Sequence, residues 1–556
     1  MGFVGRSLLL FFILYGMLFA VANLALLGGA LPLWGAGVFM AVMILLQYLL
    51  SPWLIEWFYS IGWYEEDIPP AVRAFVDRVC TEHNLPKLRI GIIESATPNA
   101  FAFGRLQSDA RIVVTRGLLE LLSEDEANAV LAHEIGHVAH YDFAAMAAAS
   151  MVPLALWQIY VWTNRNNRLR LVSYVAYLAY WIGQFMVLML NRTREYGADQ
   201  FSAQVARQPN ALSTALVKIA YGMVKERGEL TRLCKQGDAT QKKDARRKLQ
   251  FGQALSLMGI MNASNHNAAL ALGIESPEQA VRVMRWDLVN PWAAIYELNS
   301  THPLTAKRIE ALNREAKALG QSPAYAIPQD KRLRWTGFPV EFLIWSAPLL
   351  CGFLLFTKGW LHKDLATLGI VLPAHLTPWL LTLLGVSWAL RIAFRYHGQF
   401  KPATVENLLD DLAVSQMRPR AVAIEGEIVG NGLPGAYWSP DLLLRDDTGL
   451  IFLYYRSSIP FGRLFFALRS ADRMIGERVK VQGWYRRGMR PYIEMSRVEA
   501  RVVKPLSDRD NISIFSSEIM ATPTEYEQLV ERSYSCWIQL AASAACTAAG
   551  LIWLLS

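Results

Sequence analysis

At 556 residues the chain is too long for one compact core. Hydrophobic residues make up 53% and charged residues 18%, which sets aside an ordinary soluble protein and points to a membrane protein with soluble parts. The net charge of +8 comes without a long basic run, so it reads as cationic flanks of membrane spans rather than as a nucleic-acid surface. No charged residue occurs from Ser7 to Ile55, enough for two spans with a turn at Gly28–Gly29 and Pro32. The apolar region is too long for a signal peptide, so it reads as an uncleaved hairpin.

The next stretch is soluble. Ala71 to His83 has helical spacing, and Leu88–Glu94 and Ala110–Thr115 read as short strands, with TPNAFAFG (Thr97–Gly104) between them. Ser123 opens a capping box closed by Glu126, and a helix should run from there through Asp142. Phe143–Asn164 and Leu171–Asn191 are charge-free and long enough to span. Their link, NRNNRLR, carries three arginines, which is awkward for an external link, so short, tilted or protein-packed helices stay open. Phe201 to about Leu333 reads as soluble and helical.

Phe342–Phe356 is a short fifth span, and Leu365–Leu390 contains a sixth, interrupted by Pro373 and Pro378. Lys331, Arg332 and Arg334 precede this pair and Arg391, Arg395 and Lys401 follow it, which places both flanks in the cytoplasm. Arg420–Val503 is β-rich, with strands expected at Ala421–Val429, Asp441–Arg445, Leu450–Tyr455, Arg478–Trp484 and Tyr492–Val498. A helical stretch, Phe461–Asp472, follows the third, and that order resembles an OB-fold barrel. Cys536–Leu555 is a seventh apolar stretch. None of the five cysteines, Cys80, Cys234, Cys351, Cys536 and Cys546, forms a CxxC pair, which fits a reducing compartment.

The chemistry is concentrated in LAHEIGHVAHYD, Leu131–Asp142. His133 and His137 stand four apart, so a helix puts both imidazoles on one face within reach of one ion, with Glu134 beside it to accept a proton from water. Apolar neighbours Leu131, Ala132, Ile135 and Val138 suggest a buried helix, where two histidines and a carboxylate need partners. A catalytic zinc needs a third protein ligand. His140 lies roughly 10 Å beyond His133 along a straight helix, too far to share the ion. In RTREYGAD, Arg192–Asp199, Glu195 and Asp199 share a face; Glu195 can coordinate and Asp199 can fix the tautomer of a ligand histidine.

LAHEIGHVAHYD, followed after a hydrophobic hairpin by REYGAD, resembles the membrane gluzincin metalloproteases of HtpX and CAAX prenyl endopeptidase type, over roughly residues 1–312. Asn99, Ala100 and Phe101 resemble that family's substrate-binding edge strand, and Thr301–His302–Pro303 with Arg308–Ile309 its late His-Pro motif. The resemblance implies one Zn²⁺ per chain held by His133, His137 and Glu195, with Glu134 as general base. It implies that His302 stabilises an oxyanion, the alternative being a surface turn before Pro303. Arg192 reads as structural or carboxylate-pairing.

The fold class expected is a multi-span α-helical membrane protein with an α+β zincin-like catalytic domain and a small OB-like β-barrel module. Its divisions are a transmembrane hairpin (1–62), a metalloprotease domain (63–333) that includes membrane helices 143–164 and 171–191, a transmembrane pair (334–397), the OB-like module (398–505), and a linker with a last transmembrane helix (506–556). The function implied is a zinc endopeptidase of the bacterial inner membrane, its active site facing the cytoplasm, acting in quality control on unfolded or membrane proteins. The alternatives are a processing protease for specific, including lipidated, substrates, and a non-catalytic scaffold acting through the barrel. The added module departs from the HtpX pattern; a protein partner, self-association or lipid fits it better than nucleic acid. Trp484, Tyr485, Arg486 and Arg487 could stack on single strands, but such residues more often close a barrel edge.

Overall fold

The computed structural model describes residues 33–59, 61–63, 68–164, 169–219, 277–328, 337–367, 373, 375–431, 441–458, 461–488, 491–503, 526–533 and 535–555. The first half of the N-terminal hairpin lies outside the described residues, and its second half is the helix α1 (Leu33–Tyr59). The chain divides into two compact units, one holding residues 1–288 and 293–329, the other residues 289–292 and 330–556.

In the first unit, α2 (Pro70–Glu82) starts on a proline, whose missing N–H costs nothing in a first turn. It buries Val72, Phe75, Val76 and Val79, one helical face. Strands β1 (Arg89–Ile93), β2 (Ala100–Phe103) and β3 (Arg111–Thr115) form a sheet in the order β1-β3-β2. β3 runs parallel to β1 and antiparallel to β2, which leaves β2 at an edge. After the short helix α3 (Arg116–Leu121) comes α4 (Glu124–Ala139), capped as its sequence predicts by Ser123 and Glu126.

α4 stops earlier than its pattern predicts. His140 is its C-cap, Tyr141 adopts a left-handed backbone (φ 58°), and a new helix α5 (Asp142–Thr163) sets off from Asp142. The next helix, α6 (Arg170–Ala206), is one continuous rod of 37 residues carrying the fourth apolar run and RTREYGAD together. α4 and α6 approach closely at Gly136, where a Cβ would lie 3.1 Å from the Ala198 Cα and 3.2 Å from the Phe201 Cβ. The Ser202 hydroxyl, donating to the Ala129 carbonyl at 2.6 Å, pins the same crossing. Further on come α7 (Pro277–Val289), α8 (Pro291–Leu298) and α9 (Thr305–Ala318).

The second unit contains α10 (Phe338–Thr367) and α11 (Leu376–Arg395). α10 is longer than the short span expected, and α11 starts just before Pro378, a position in the first turn that tolerates proline. After the two-residue strand β4 (Lys401–Pro402) and α12 (Val405–Leu409) come β5 (Arg420–Asn431), β6 (Leu442–Asp446) and β7 (Gly449–Tyr454). The helix α13 (Gly462–Phe466) precedes β8 (Arg478–Arg487) and β9 (Pro491–Val503). The pairings β5–β6, β6–β7, β7–β9, β9–β8 and β8–β5 close a ring of five strands, with only β7–β9 parallel. That is OB-fold connectivity, and closure gives every strand of the ring a neighbour on both sides over part of its length, while β9 runs on past β7. β4 adds to β5, and a strand absent from the sequence reading, β10 (Tyr526–Arg532), adds to β9.

The last helix, α14 (Ser535–Leu555), lies antiparallel against α11. Gly385 and Gly550 make this possible, since a Cβ on either would stand 2.3 Å from the hydroxyl of Thr547 or Thr382. Among the described residues five helices are long and apolar enough to cross a membrane: Asp142–Thr163, Arg170–Ala206, Phe338–Lys358, Leu376–Arg395 and Cys536–Leu555. Their apolar side chains, among them Leu178, Met186, Leu343, Phe353 and Ile552, face outward rather than into a protein core. The protein is a multi-span membrane protein.

Candidate metal centre and active site

The helical spacing of His133 and His137 puts the two rings edge to face on one side of α4, their centroids 4.8 Å apart. Glu195, brought in by α6, lies opposite. Its Oε2 is 3.8 Å from His133 Nε2 and its Oε1 is 3.7 Å from His137 Nε2. Ligand atoms of the three residues all lie within 4.8 Å of one another. A tetrahedral ion with ligands at about 2.0–2.1 Å has ligand–ligand edges of about 3.4 Å, so the two carboxylate–imidazole distances need to shorten by only a few tenths of an ångström around an ion. His133 Nε2 is buried with no hydrogen-bond partner among the described residues, a costly state for a polar atom that a metal would relieve.

Both rings are aimed from behind. His133 Nδ1 lies 2.9 Å from Asp199 Oδ1, and His137 Nδ1 lies 2.6 Å from Asp142 Oδ2. With each Nδ1 facing a carboxylate, each Nε2 is the atom presented to the site. Each carboxylate has its own guanidinium. Arg308 reaches Asp199 with Nε at 2.8 Å and a terminal nitrogen at 2.7 Å, a bidentate fork, and Arg194 Nε lies 3.1 Å from Asp142. Arg308 also lies 3.4 Å from Glu195. Burial pushes the His137 pKa down, but the bond to Asp142 and the charges of Glu195 and Glu134 outweigh it and leave it raised.

Glu134 is buried beside the pair, and its Oε2 accepts the backbone N–H of Ala102 on β2 at 2.9 Å. The predicted base and the edge strand are thus directly joined. Asn99 is buried at the head of β2, its N–H and carbonyl both tied to Thr115. Ala100 is buried and Phe101 packs inward against Tyr59, Ile93, Phe103 and Val113, so these residues can offer a substrate backbone rather than side chains. His302 is not merely a turn residue: its Nδ1 lies 3.1 Å from Glu195 Oε2.

Arg192 meets no carboxylate among the described residues. It donates instead to the carbonyls of Glu297, Leu298 and Ser300, holding the loop that leads into His302. His140 is exposed, with its ring against Phe201 and outside the cluster. Asp142 and Arg194 join the site without a signal in the sequence, and Arg308, marked in the sequence only as part of the late motif, proves to be the partner of Asp199.

A histidine pair with carboxylate-aimed rings, a carboxylate from a crossing helix and a glutamate tied to a strand edge, set among span-length apolar helices, define a membrane-embedded metallopeptidase. Comparison with known proteins agrees. Residues 69–316 match Peptidase family M48. A protease HtpX homolog of Methanothermobacter thermautotrophicus is 43% identical over 217 residues, 38% of this chain and 82% of that one. One from Aeropyrum pernix is 31% identical over 294 residues, 50% of this chain and 85% of that one. The crystal structure of S. mikatae Ste24p is a distant likeness, at 18% identity and a TM-score of 0.33, covering 55% of this chain and 65% of that one. The chain belongs to peptidase family M48, among the membrane metalloproteases of HtpX type.

Proposed function

We propose that the protein is a zinc-dependent endopeptidase that cuts unfolded or unassembled membrane proteins at the cytoplasmic face of a prokaryotic cell membrane. The observation that carries this reading is the position of Glu134, between a histidine–carboxylate cluster and the backbone of an edge strand. His133, His137 and Glu195 would hold the zinc, and two nitrogens with one carboxylate oxygen are a donor set typical of catalytic zinc. When bound, zinc supplies Lewis acidity and brings the pKa of water toward neutrality. An extended peptide adds to β2, whose backbone edge is the one facing Glu134. Glu134 takes the proton of the attacking water and passes it to the leaving amine. His302 donates toward the developing oxyanion, and Arg192 holds its loop in place.

The cytoplasmic orientation is supported by the basic residues Arg391, Arg395 and Lys401 at the end of α11. A quality-control role is supported by an open strand edge, which reads backbone rather than a particular side chain. In the Glu134→Gln variant zinc content is retained and cleavage of unfolded casein falls by at least about a hundredfold, the low end of what a general base contributes. Retained cleavage would refute the base assignment. Cleavage of a prenylated peptide in preference to casein by the unaltered protein would replace quality control with processing.

A further inference from the structure

The second unit contains a polar cavity of about 320 Å³ that takes no part in the chemistry above. Its wall is formed by the last turns of α11 (Trp388, Arg391, Arg395), the segment after β7 (Arg456, Ser458) and Gln539 of α14. Gln539 donates to the Ser458 hydroxyl at 3.4 Å, so the start of α14 and the segment after β7 are joined at this wall. α11 and α14 are both of span length and antiparallel, so the C-terminal end of one and the N-terminal end of the other place the cavity where an apolar span meets the polar barrel.

The charges around the cavity do not balance. Arg395, Arg456 and Arg486 share one carboxylate, the buried Glu494, at 3.5, 3.8 and 2.9 Å. Glu494 also accepts the hydroxyl of Tyr396. Arg486 is otherwise satisfied, since it donates to the carbonyls of Gln416 and Arg395. Arg391 has no acidic partner among the described residues, and Arg395 Nε is buried without a hydrogen bond. Among the described residues the four guanidiniums at and beside the cavity have one carboxylate, Glu494, to balance them, which leaves a surplus of three positive charges. The donors are planar forks suited to tetrahedral oxyanions, and hydroxyl and amide groups lie beside them. Trp537, two residues before Gln539, and Phe461 and Phe465, just after Arg456 in the chain, are large exposed apolar side chains of the kind found at a membrane interface.

We propose that this cavity binds a phosphate-type anion, presented as the headgroup of an acidic phospholipid. Arg391 and Arg456 grip the phosphate, Arg395 completes the fork, and Trp388 lies toward the acyl region. The site would tie the barrel to the membrane surface independently of catalysis.

The test uses the full-length protein in detergent, titrated with dioleoylphosphatidylglycerol or dioleoylphosphatidylcholine and read by native mass spectrometry. The anionic lipid is retained at least about tenfold more strongly, as charge-assisted bonds to two arginines require. Arg391→Gln/Arg456→Gln removes the preference, Arg391→Lys/Arg456→Lys weakens it because an ammonium lacks the planar fork, and Lys480→Gln on the barrel surface leaves it unchanged. Equal retention of both lipids by the unaltered protein overturns the proposal, and that result needs no variant to fold. A preference that survives intact in a folded glutamine variant also overturns it. A melting temperature raised by millimolar inorganic phosphate and not by phosphatidylglycerol, with the glutamine variant unresponsive, supports the anion site and overturns the lipid as its source.

Discussion

Replacing Asp142 by Asn tests the logic of the site at a residue that cannot touch the metal itself. Its Oδ2 sits 2.6 Å from His137 Nδ1 and 3.1 Å from Arg194. An asparagine of the same shape still accepts the Nδ1 proton, so the ring keeps its orientation and only the charge is lost. A hydrogen bond to a charged group contributes about 1.5–3 kcal/mol and a neutral one about 0.5–1.5, so the loss is about 1.3 kcal/mol. At about 1.36 kcal/mol per decade, zinc affinity should fall about tenfold. In Asp142→Ala the ring also loses its tautomer lock and Arg194 its carboxylate, and the loss should approach a hundredfold. The assay equilibrates the purified full-length variants with a series of zinc buffers and measures bound metal, with circular dichroism to check helix content. If both variants bind zinc as the parent does, the claim that these rings are aimed from behind is wrong.

Two other outcomes follow from the same structure. Arg308→Met strands the buried Asp199 charge, which costs about 3–5 kcal/mol when one member of a buried pair is removed, so the melting temperature should drop sharply. Adding Asp199→Asn should recover most of that stability while zinc binding stays weak; full recovery of zinc binding would count against Asp199 as an orienting group. The Glu126 carboxyl, despite burial, is held below its usual range by Lys218 and by the Ser123 N–H, so its contribution is complete above its unfolded pKa near 4.5 and is lost as pH falls through the lower folded value. Thermal melts should therefore lose stability in acid below about pH 4.5, and Glu126→Gln should lower the neutral-pH melting temperature and flatten that slope; an unchanged slope would refute the assignment.

The sequence carried the elements governed by local rules. The capping box at Ser123–Glu126, the histidine pair at helical spacing and the Glu195–Asp199 pair all depend on distances along one helix, and the structure places them as that spacing implies. The five barrel strands were likewise legible as short segments in the order an OB-fold barrel requires. What the sequence hid depends on breaks and distant contacts. Asp142 stands five residues after His137, on the wrong face of an unbroken helix, and only the left-handed turn at Tyr141 brings it back. No glycine marked that turn. Arg308 meets Asp199 across 109 residues, a distance over which no pattern operates. β10 carries little strand signal because Tyr526–Arg532 has three charged residues among seven, and it pairs with the part of β9 that runs past β7.

The central claim is that α4 and α6 together build one metal shell. X-ray absorption spectroscopy at the zinc edge, with metal content measured on the same full-length sample, tests it most directly. The expected result is one zinc per chain, bound by two imidazole nitrogens and carboxylate or water oxygens, with a large loss of metal in Glu195→Ala. A third imidazole in the shell, or unchanged zinc stoichiometry in Glu195→Ala, would contradict it.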